Sequence, residues 1–344
     1  MGKPVRVQVS PSAPIFRFFN QNTVSLMPQL SFPVVISAVL QIFLIGSIGF
    51  FLIRRRVMDE NGLTLLATLA VNLFYPLFAF SQLTRHFSFS RNPDWGIYPL
   101  ICVAIGIAAF LLARAALFLN RGFPLKKEFT ALVIFNNCGY IPLLLTSAVF
   151  EGEMLRQIFI NIFLYCMGFD IALWTIGVGL LAGQKQQKSQ WRSILNPPIL
   201  SILAALGIVY FGWQENIPAM LSRPVEMIGQ CALPIGMIII GGNLAAIKVT
   251  DARKRDIFFV ILAKLILLPV LATGAVLALK LDYLLGFLIV LQSATPSAIN
   301  LSVIARHYRG EEKFINQAIF FTHLFSMASM PFFLIVYTRM MKGF

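Results

Sequence analysis

Two short polar interruptions lie inside otherwise apolar stretches of the sequence. The first, NNCGYIP at residues 136 to 142, combines two asparagines with a glycine and a proline. The second, ATPSAIN at residues 294 to 300, combines a threonine, a serine and an asparagine with a proline. Because glycine permits unwound backbone and proline favours the first turn of a helix, each interruption predicts a helix that is broken in its middle.

The start of each second half-helix would form a site for anions. Free N–H groups at a helix start carry about half a positive elementary charge, which favours a carboxylate. We expect Gly139 to help unwind the first stretch and Pro142 to begin its second half-helix, whereas Thr295 would cap a half-helix that begins at Pro296. The predicted substrate-binding residues are Asn136, Asn137, Gly139, Pro142, Gln292, Ser293, Thr295, Pro296, Ser297 and Asn300.

Acidic residues are missing from both interruptions and their surroundings. No Asp or Glu lies between Ala131 and Phe150 or between Tyr283 and Arg306. A carrier of cations or protons would be expected to place a carboxylate here, so a small organic anion fits the predicted site better. A cation/proton antiporter or a sodium-coupled symporter of the same topology is the alternative. An intramembrane enzyme ranks lower, because no nucleophile or metal-ligand cluster shares one depth.

Two charged residues lie deep in other apolar stretches. They are Asp170, in CMGFDIALW, and Lys264, in VILAKLILLP. Each costs at least a few kcal/mol in a bilayer, so each needs a partner or a role. Their predicted depths differ by about 5 Å at helical rise, close enough for an ion pair. A static salt bridge and a role in proton coupling or substrate charge balance are equally open.

The elements that position all these residues are predicted to be membrane helices. The chain has 344 residues, of which 58% are hydrophobic and 12% charged, with a mean hydropathy of +0.79. Soluble domains have about 25% charged residues, so the composition predicts an integral membrane protein in a lipid bilayer. The net charge of +14 comes from basic residues scattered over short loops, which argues against a nucleic-acid partner.

Metal and cofactor chemistry is not expected from the sequence. His86, His307 and His323 lie in separate loops or apolar stretches without the spacing of metal ligands, so solvated or packing histidines are the interpretation. No nucleotide-binding, nucleophile-elbow or zinc-protease motif is present in the sequence. We therefore predict no metal and no cofactor.

Ten apolar stretches of membrane-spanning length divide the chain. They are residues 32–53, 62–84, 96–118, 128–150, 157–182, 197–213, 225–247, 257–279, 283–306 and 315–338. Basic residues concentrate on alternate loops, which predicts that both termini lie outside a bacterial inner membrane or plasma membrane. Residues 1–31 form an N-terminal extension.

A repeat relates the two halves of the chain, 32–182 and 197–344, on either side of a cytoplasmic loop at 183–196. Pro76 and Pro234, the predicted kinks of the second and seventh spans, are 158 residues apart, and the same offset relates 136–142 to 294–300. Because each half has five spans, an odd number, the halves would cross the membrane in opposite directions. Such inverted repeats occur in many secondary transporters.

Five stretches resemble the auxin efflux carrier family of permeases, which includes PIN-type auxin exporters and bacterial malate and malonate permeases. The stretches are GFFLIRRRVMDENGLTLLATLAVNLFYPLFAFSQL, FNNCGYIPLLL, LNPPILSILAALG, CALPIGMIIIGGNLA and ATPSAINLSVIARHYRGEEKFINQAIFFTHLFSMASMPFFL. The resemblance extends from about Leu40 to Tyr337. It identifies Pro142 and Pro296 as the prolines of two crossing helices, with Asn136 or Asn137 as the polar residue.

The resemblance implies an all-α membrane fold like that of bile acid symporters and antiporters. Ten helices would form two inverted five-helix repeats, and the broken fourth and ninth helices would cross at the substrate. Helices 1, 2, 6 and 7 would form a scaffold, often homodimeric, while helices 3–5 and 8–10 move as an elevator. The implied function is secondary transport of a small organic anion, a carboxylate or an auxin-like acid, and not catalysis.

Overall fold

A computed structural model describes residues 32–120, 122–182, 195–308 and 311–342. The predicted N-terminal extension and all but the last two residues of the loop at 183–196 lie outside the described residues. The described chain is all-helical, and seven of its helices are long and apolar enough to cross a membrane. This agrees with the membrane protein predicted from composition.

The helices are numbered in chain order. They are α1 (Phe32–Arg54), α2 (Glu60–His86), α3 (Ile97–Leu119), α4 (Lys126–Ile134), α5 (Tyr140–Val149), α6 (Gly152–Leu181), α7 (Pro197–Tyr210), α8 (Ala219–Ala246), α9 (Lys254–Ala278), α10 (Tyr283–Ala294), α11 (Asn300–His307) and α12 (Glu312–Lys342). Helices α5, α7 and α10 are apolar but shorter than a full span. The stretches 128–150 and 283–306 are each divided into two helices. The count of ten spans in an inverted repeat stays a prediction.

Pro76 and Pro234 each follow an irregularity in a long helix. A π-helical turn, Ala70–Phe74, precedes Pro76 within α2. In α8 the regular α-helix is interrupted at Cys231, three residues before Pro234. Proline has no N–H to donate to the carbonyl of the preceding turn, so both irregularities lie where proline weakens the helical hydrogen bonds.

Helices α1 and α8 approach each other more closely than side chains would allow. A Cβ atom at Gly241 would lie 1.8 Å from the carbonyl oxygen of Gly46, so only glycine fits there. Small residues let membrane helices approach in this way. Helix α2 packs on α7, α3 packs on α6, and α9 packs on α10 and α12. Helices α5 and α12 contact α1, and the candidate site lies at this boundary.

Candidate functional site

The segments that divide the two broken stretches contact each other. We call residues 135–139 the first break, residues 295–299 the second break, and both together the junction. Asn136 and Ser297 form an antiparallel β-bridge. The N–H of Asn137 donates to the carbonyl of Pro296 at 2.8 Å, and the N–H of Ala298 donates to that of Phe135 at 3.0 Å. Since unpaired backbone groups are costly in a membrane, each break stabilises the other.

The Asn136 side chain holds the junction together. Its Nδ2 atom lies 3.0 Å from the Gln292 carbonyl oxygen, 2.9 Å from Gln292 Oε1 and 3.0 Å from Thr295 Oγ1. Gln292 Nε2 donates in return to the Cys138 carbonyl at 3.0 Å. Asn136, Gln292 and Thr295 are all buried, at 2% exposure or less. Their polar groups therefore bond to one another across the two breaks.

Two other predicted site residues bond to backbone within the fold. Ser297 Oγ donates to the Leu132 carbonyl at 2.7 Å, which adds a further contact between the second break and α4. Ser293 Oγ donates to Val290 in its own helix at 2.9 Å. Both serines are fully buried. Asn300, in contrast, is exposed at the first position of α11.

The predicted starts of the second half-helices are wrong. Helix α11 begins at Asn300, four residues after Pro296. Thr295 does not cap it: its hydroxyl donates at 2.7 Å to the Gln292 carbonyl and ends α10 instead. Helix α5 begins at Tyr140, with Gly139 just before it, so Pro142 lies within the first turn. Proline is tolerated there because first-turn N–H groups have no partner inside the helix.

Lys264 binds the end of α4, not Asp170. Its Nζ atom donates at 3.0 Å to the carbonyl of Val133, in the last turn of α4, and the side chain is fully buried. A cation is favourable there because the last carbonyls of a helix carry partial negative charge. Within the described residues no ion pair joins Lys264 to Asp170 within 4.0 Å. Helical rise gave their depths but not the direction of each side chain around its helix.

Two adjacent residues of α12 each contact one break, and the sequence interpretation missed both. Thr322 Oγ1 accepts a hydrogen bond from the Ser297 N–H at 3.4 Å. His323 Nε2 lies 3.4 Å from Asn137 Nδ2. His323 Nδ1 lies 2.9 Å from the Ile319 carbonyl, which assigns the imidazole hydrogen to Nδ1 and leaves Nε2 as an acceptor for Asn137. The signal in the sequence that could have identified them is a polar Thr-His pair inside an apolar stretch.

A cavity of about 190 Å³ lies beside the junction. Its walls come from α1, α5, α8 and α12, with Ile141 of the first turn of α5 among them. The polar side chains in these walls are those of Ser47, His323 and Ser326, and no described lining residue is Asp, Glu, Lys or Arg. Across the described chain, no group of three or more His, Cys, Asp or Glu side chains is placed to hold a metal ion.

One family matches this chain along most of its length, and individual known proteins resemble all or part of the same region. Residues 34–334 match the family described as membrane transport protein. An uncharacterized transporter of Methanocaldococcus jannaschii is 23% identical over 305 residues, 84% of this chain and 94% of that protein. A second, of Methanothermobacter thermautotrophicus, is 24% identical over 308 residues, 87% and 97% of the two chains. Protein PIN-LIKES 2 of Arabidopsis thaliana is 26% identical over 167 residues, 43% of this chain and 36% of the plant protein.

Proposed function

The chain belongs to this membrane transport protein family, the auxin efflux carriers, and on that premise we propose that it carries a small organic anion by alternating access. The substrate class is a carboxylate or an auxin-like acid. The observation that carries the proposal is the cavity: it adjoins the junction, the first turn of α5 reaches it, and its described walls hold no acidic side chain. The free N–H groups at the start of α5 favour a negative charge over a cation at this place.

The proposed carboxylate site is the first turn of α5 together with Asn137. The N–H groups of Tyr140 and Ile141 have no partner inside the helix, and no side chain caps them. Asn137 is half-buried and adds an amide beside them. The apolar part of the substrate would lie among side chains such as Met237, Met327 and Met330. In this proposal Asn137 faces the substrate, and Asn136 holds the junction that positions it.

Alternating access would move one group of helices past the other. We assign α1, α2, α7 and α8 to a scaffold, with a homodimer formed through it, and α3–α6 and α9–α12 to a moving group. The cavity lies between α1 and α8 on one side and α5 and α12 on the other, which is the boundary where such sliding would take place. Two inverted repeats crossing at the junction would give equivalent inward-facing and outward-facing states.

Catalysis in the cavity is disfavoured by its own hydrogen bonds. A serine nucleophile activated by a histidine would most readily come from Ser326 and His323, which are neighbours on α12 and both line the cavity. Ser326 Oγ donates to the backbone carbonyl of His323 at 2.7 Å, and the imidazole Nδ1 is engaged by Ile319. A serine activated by a histidine needs a bond from the hydroxyl to the ring instead.

Binding and uptake of organic acids test the proposal. Purified full-length protein is heated with benzoate, malonate or indole-3-acetate, and an acid that binds the folded state should raise the melting temperature. The same acids, radiolabelled, should accumulate in or leave proteoliposomes that hold the protein. Stabilisation and flux should both be weakened in Asn137→Ala. Collapse of a pH gradient on addition of sodium alone, with no effect of any acid, would overturn the proposal in favour of a cation antiporter.

A further inference from the structure

His323 is the one histidine that contacts both the junction and the cavity among the described residues. Its side chain is 4% exposed, it lines the cavity, and its Nε2 atom faces the Asn137 amide. Ile319 fixes the ring by accepting from Nδ1. This leaves Nε2 as the single position at which the ring can gain a proton and present a new N–H.

We propose that His323 binds a proton together with the carboxylate, so that each anion crosses the membrane with one proton. This inference rests on the proposed function and adds the coupling ion. Without substrate, Nε2 stays unprotonated and accepts a hydrogen bond from Asn137. With substrate, Nε2–H donates to one carboxylate oxygen, and the Asn137 amide, released from the ring, donates to the other.

Charge balance couples the two ions. A lone imidazolium in an apolar cavity costs free energy because it has lost its water, and a lone carboxylate costs free energy for the same reason. Bound together they form a charge-assisted hydrogen bond with no net charge. Each ion therefore raises the affinity of the site for the other, and the size of the effect is the same in both directions.

No other described ionisable group near α12 is placed to bind the proton in the cavity. On α12 itself and on the helices that contact α12 or the cavity, the described charged side chains are Arg54 of α1, Lys126, Lys127 and Glu128 of α4, Arg223 and Glu226 of α8, Lys254, Arg255, Asp256 and Lys264 of α9, Arg306 of α11, and Glu312, Lys313 and Arg339 of α12. None of them lines the cavity. Lys264, the fully buried one, donates to Val133.

The uncharged titratable groups on the same elements also face elsewhere. Cys138, in the first break, lies with its Sγ atom 3.4 Å from that of Cys166. The Tyr140 ring of α5 packs against Gly236, where a Cβ atom would lie 2.2 Å from it. The remaining ones are Cys231 of α8, Tyr283 of α10, His307 of α11 and Tyr337 of α12, and none of these lines the cavity.

Proton uptake by the unmodified protein is the first test. Benzoate is added to purified full-length protein in weak buffer at pH 7, where benzoate stays ionised because carboxyl groups titrate near about pH 4. The medium should lose about one proton for each benzoate bound. Binding without proton uptake would overturn the inference and leave the proposed function standing. Absence of binding of benzoate, malonate and indole-3-acetate at every pH tested would overturn both.

A pair of histidine variants forms the second test. Benzoate affinity of the unmodified protein should rise about tenfold for each unit by which the pH falls, as one linked proton requires. His307→Gln, which changes an exposed histidine at the end of α11, should behave in the same way. His323→Gln should bind benzoate with an affinity that does not change with pH. His323→Asn serves as a second variant if the first unfolds, and pH dependence retained in either folded variant would overturn the inference.

Discussion

The two breaks look alike in sequence but have different surroundings. The second break is buried from 295 to 298 and bonds through neutral groups to Asn136, Leu132 and Thr322. The first break is partly exposed at Asn137 and Gly139, and the last turn of the helix that precedes it accepts a hydrogen bond from the amino group of Lys264. Two interruptions that look alike in the sequence are therefore unequal in the structure. The second break is held by hydrogen bonds along its buried length, whereas the first combines such bonds at Asn136 with a half-buried side chain at Asn137 that contacts His323.

Asn136 should show the largest effect on stability, because it is the residue through which the breaks hold each other. Asn136→Ala removes its hydrogen bonds to Gln292 and Thr295 and leaves the buried Gln292 Oε1 without its donor, whereas the Gln292 carbonyl keeps the Thr295 hydroxyl. At about 1–3 kcal/mol for the buried group left unsatisfied and about 1 kcal/mol for each other bond lost, we expect a loss of about 3 kcal/mol. The thermal midpoint in detergent measures it. If Asn137→Ala lowers the midpoint as much as Asn136→Ala, the division of roles between the two asparagines is wrong.

Lys264 should have the second-largest effect on stability, and that effect should act through the first break alone. Lys264→Met keeps the length of the apolar stem but leaves the Val133 carbonyl without this donor, a loss of about 1–3 kcal/mol. Lys264→Gln, which retains an N–H donor, should recover part of that loss. The free energy of unfolding in denaturant measures both. A methionine variant more stable than the original would mean that the burial of the charge costs more than its bond contributes.

Ser297 tests the second break with a smaller change. Ser297→Ala removes the bond from its hydroxyl to Leu132 and should cost about 1 kcal/mol. Ser293→Ala is the matched control, since that hydroxyl is equally buried but bonds within its own helix. We expect the control to lower the thermal midpoint less than Ser297→Ala does. Equal losses would show that the bond between the breaks contributes nothing beyond an ordinary helix contact.

Asn137 should have the smallest effect on stability and a clear effect on binding. Its side chain is half-buried and has one long contact, to His323, so Asn137→Ala should change the free energy of unfolding by about 0.5 kcal/mol or less. The increase in melting temperature caused by a bound organic acid should shrink at the same time. An unchanged ligand-induced increase would remove Asn137 from the proposed site.

Hydrophobic patterning predicted where the chain is helical and where two helices break. The apolar stretches at 128–150 and 283–306 do divide, and the polar residues of each interruption do meet. This worked because a polar cluster with a proline and a helix-permissive neighbour is a local signal, readable within a few residues. The offset of 158 residues between the interruptions added the one non-local clue.

Side-chain partners could not be predicted, because they depend on rotation about helix axes and on residues far along the chain. Thr295 was expected to cap the following helix, yet its hydroxyl turns back to Gln292. Asp170 and Lys264 have suitable depths but do not pair. His323 was assigned no role because its sequence neighbours offer no metal-ligand spacing, whereas its partner Asn137 lies 186 positions away.

The separation between partners across the junction also has a consequence for biosynthesis. Asn136 leaves the ribosome 156 residues before Gln292 and 159 residues before Thr295. Until those residues arrive, the polar backbone of the first break has to be shielded by water or by the insertion machinery, because lipid cannot satisfy it. The first half of the chain would therefore depend on water or that machinery until the second half has been synthesised, and it would not fold stably alone. A gene split in the loop at 183–196 should yield stable protein only when both fragments are made in the same cell.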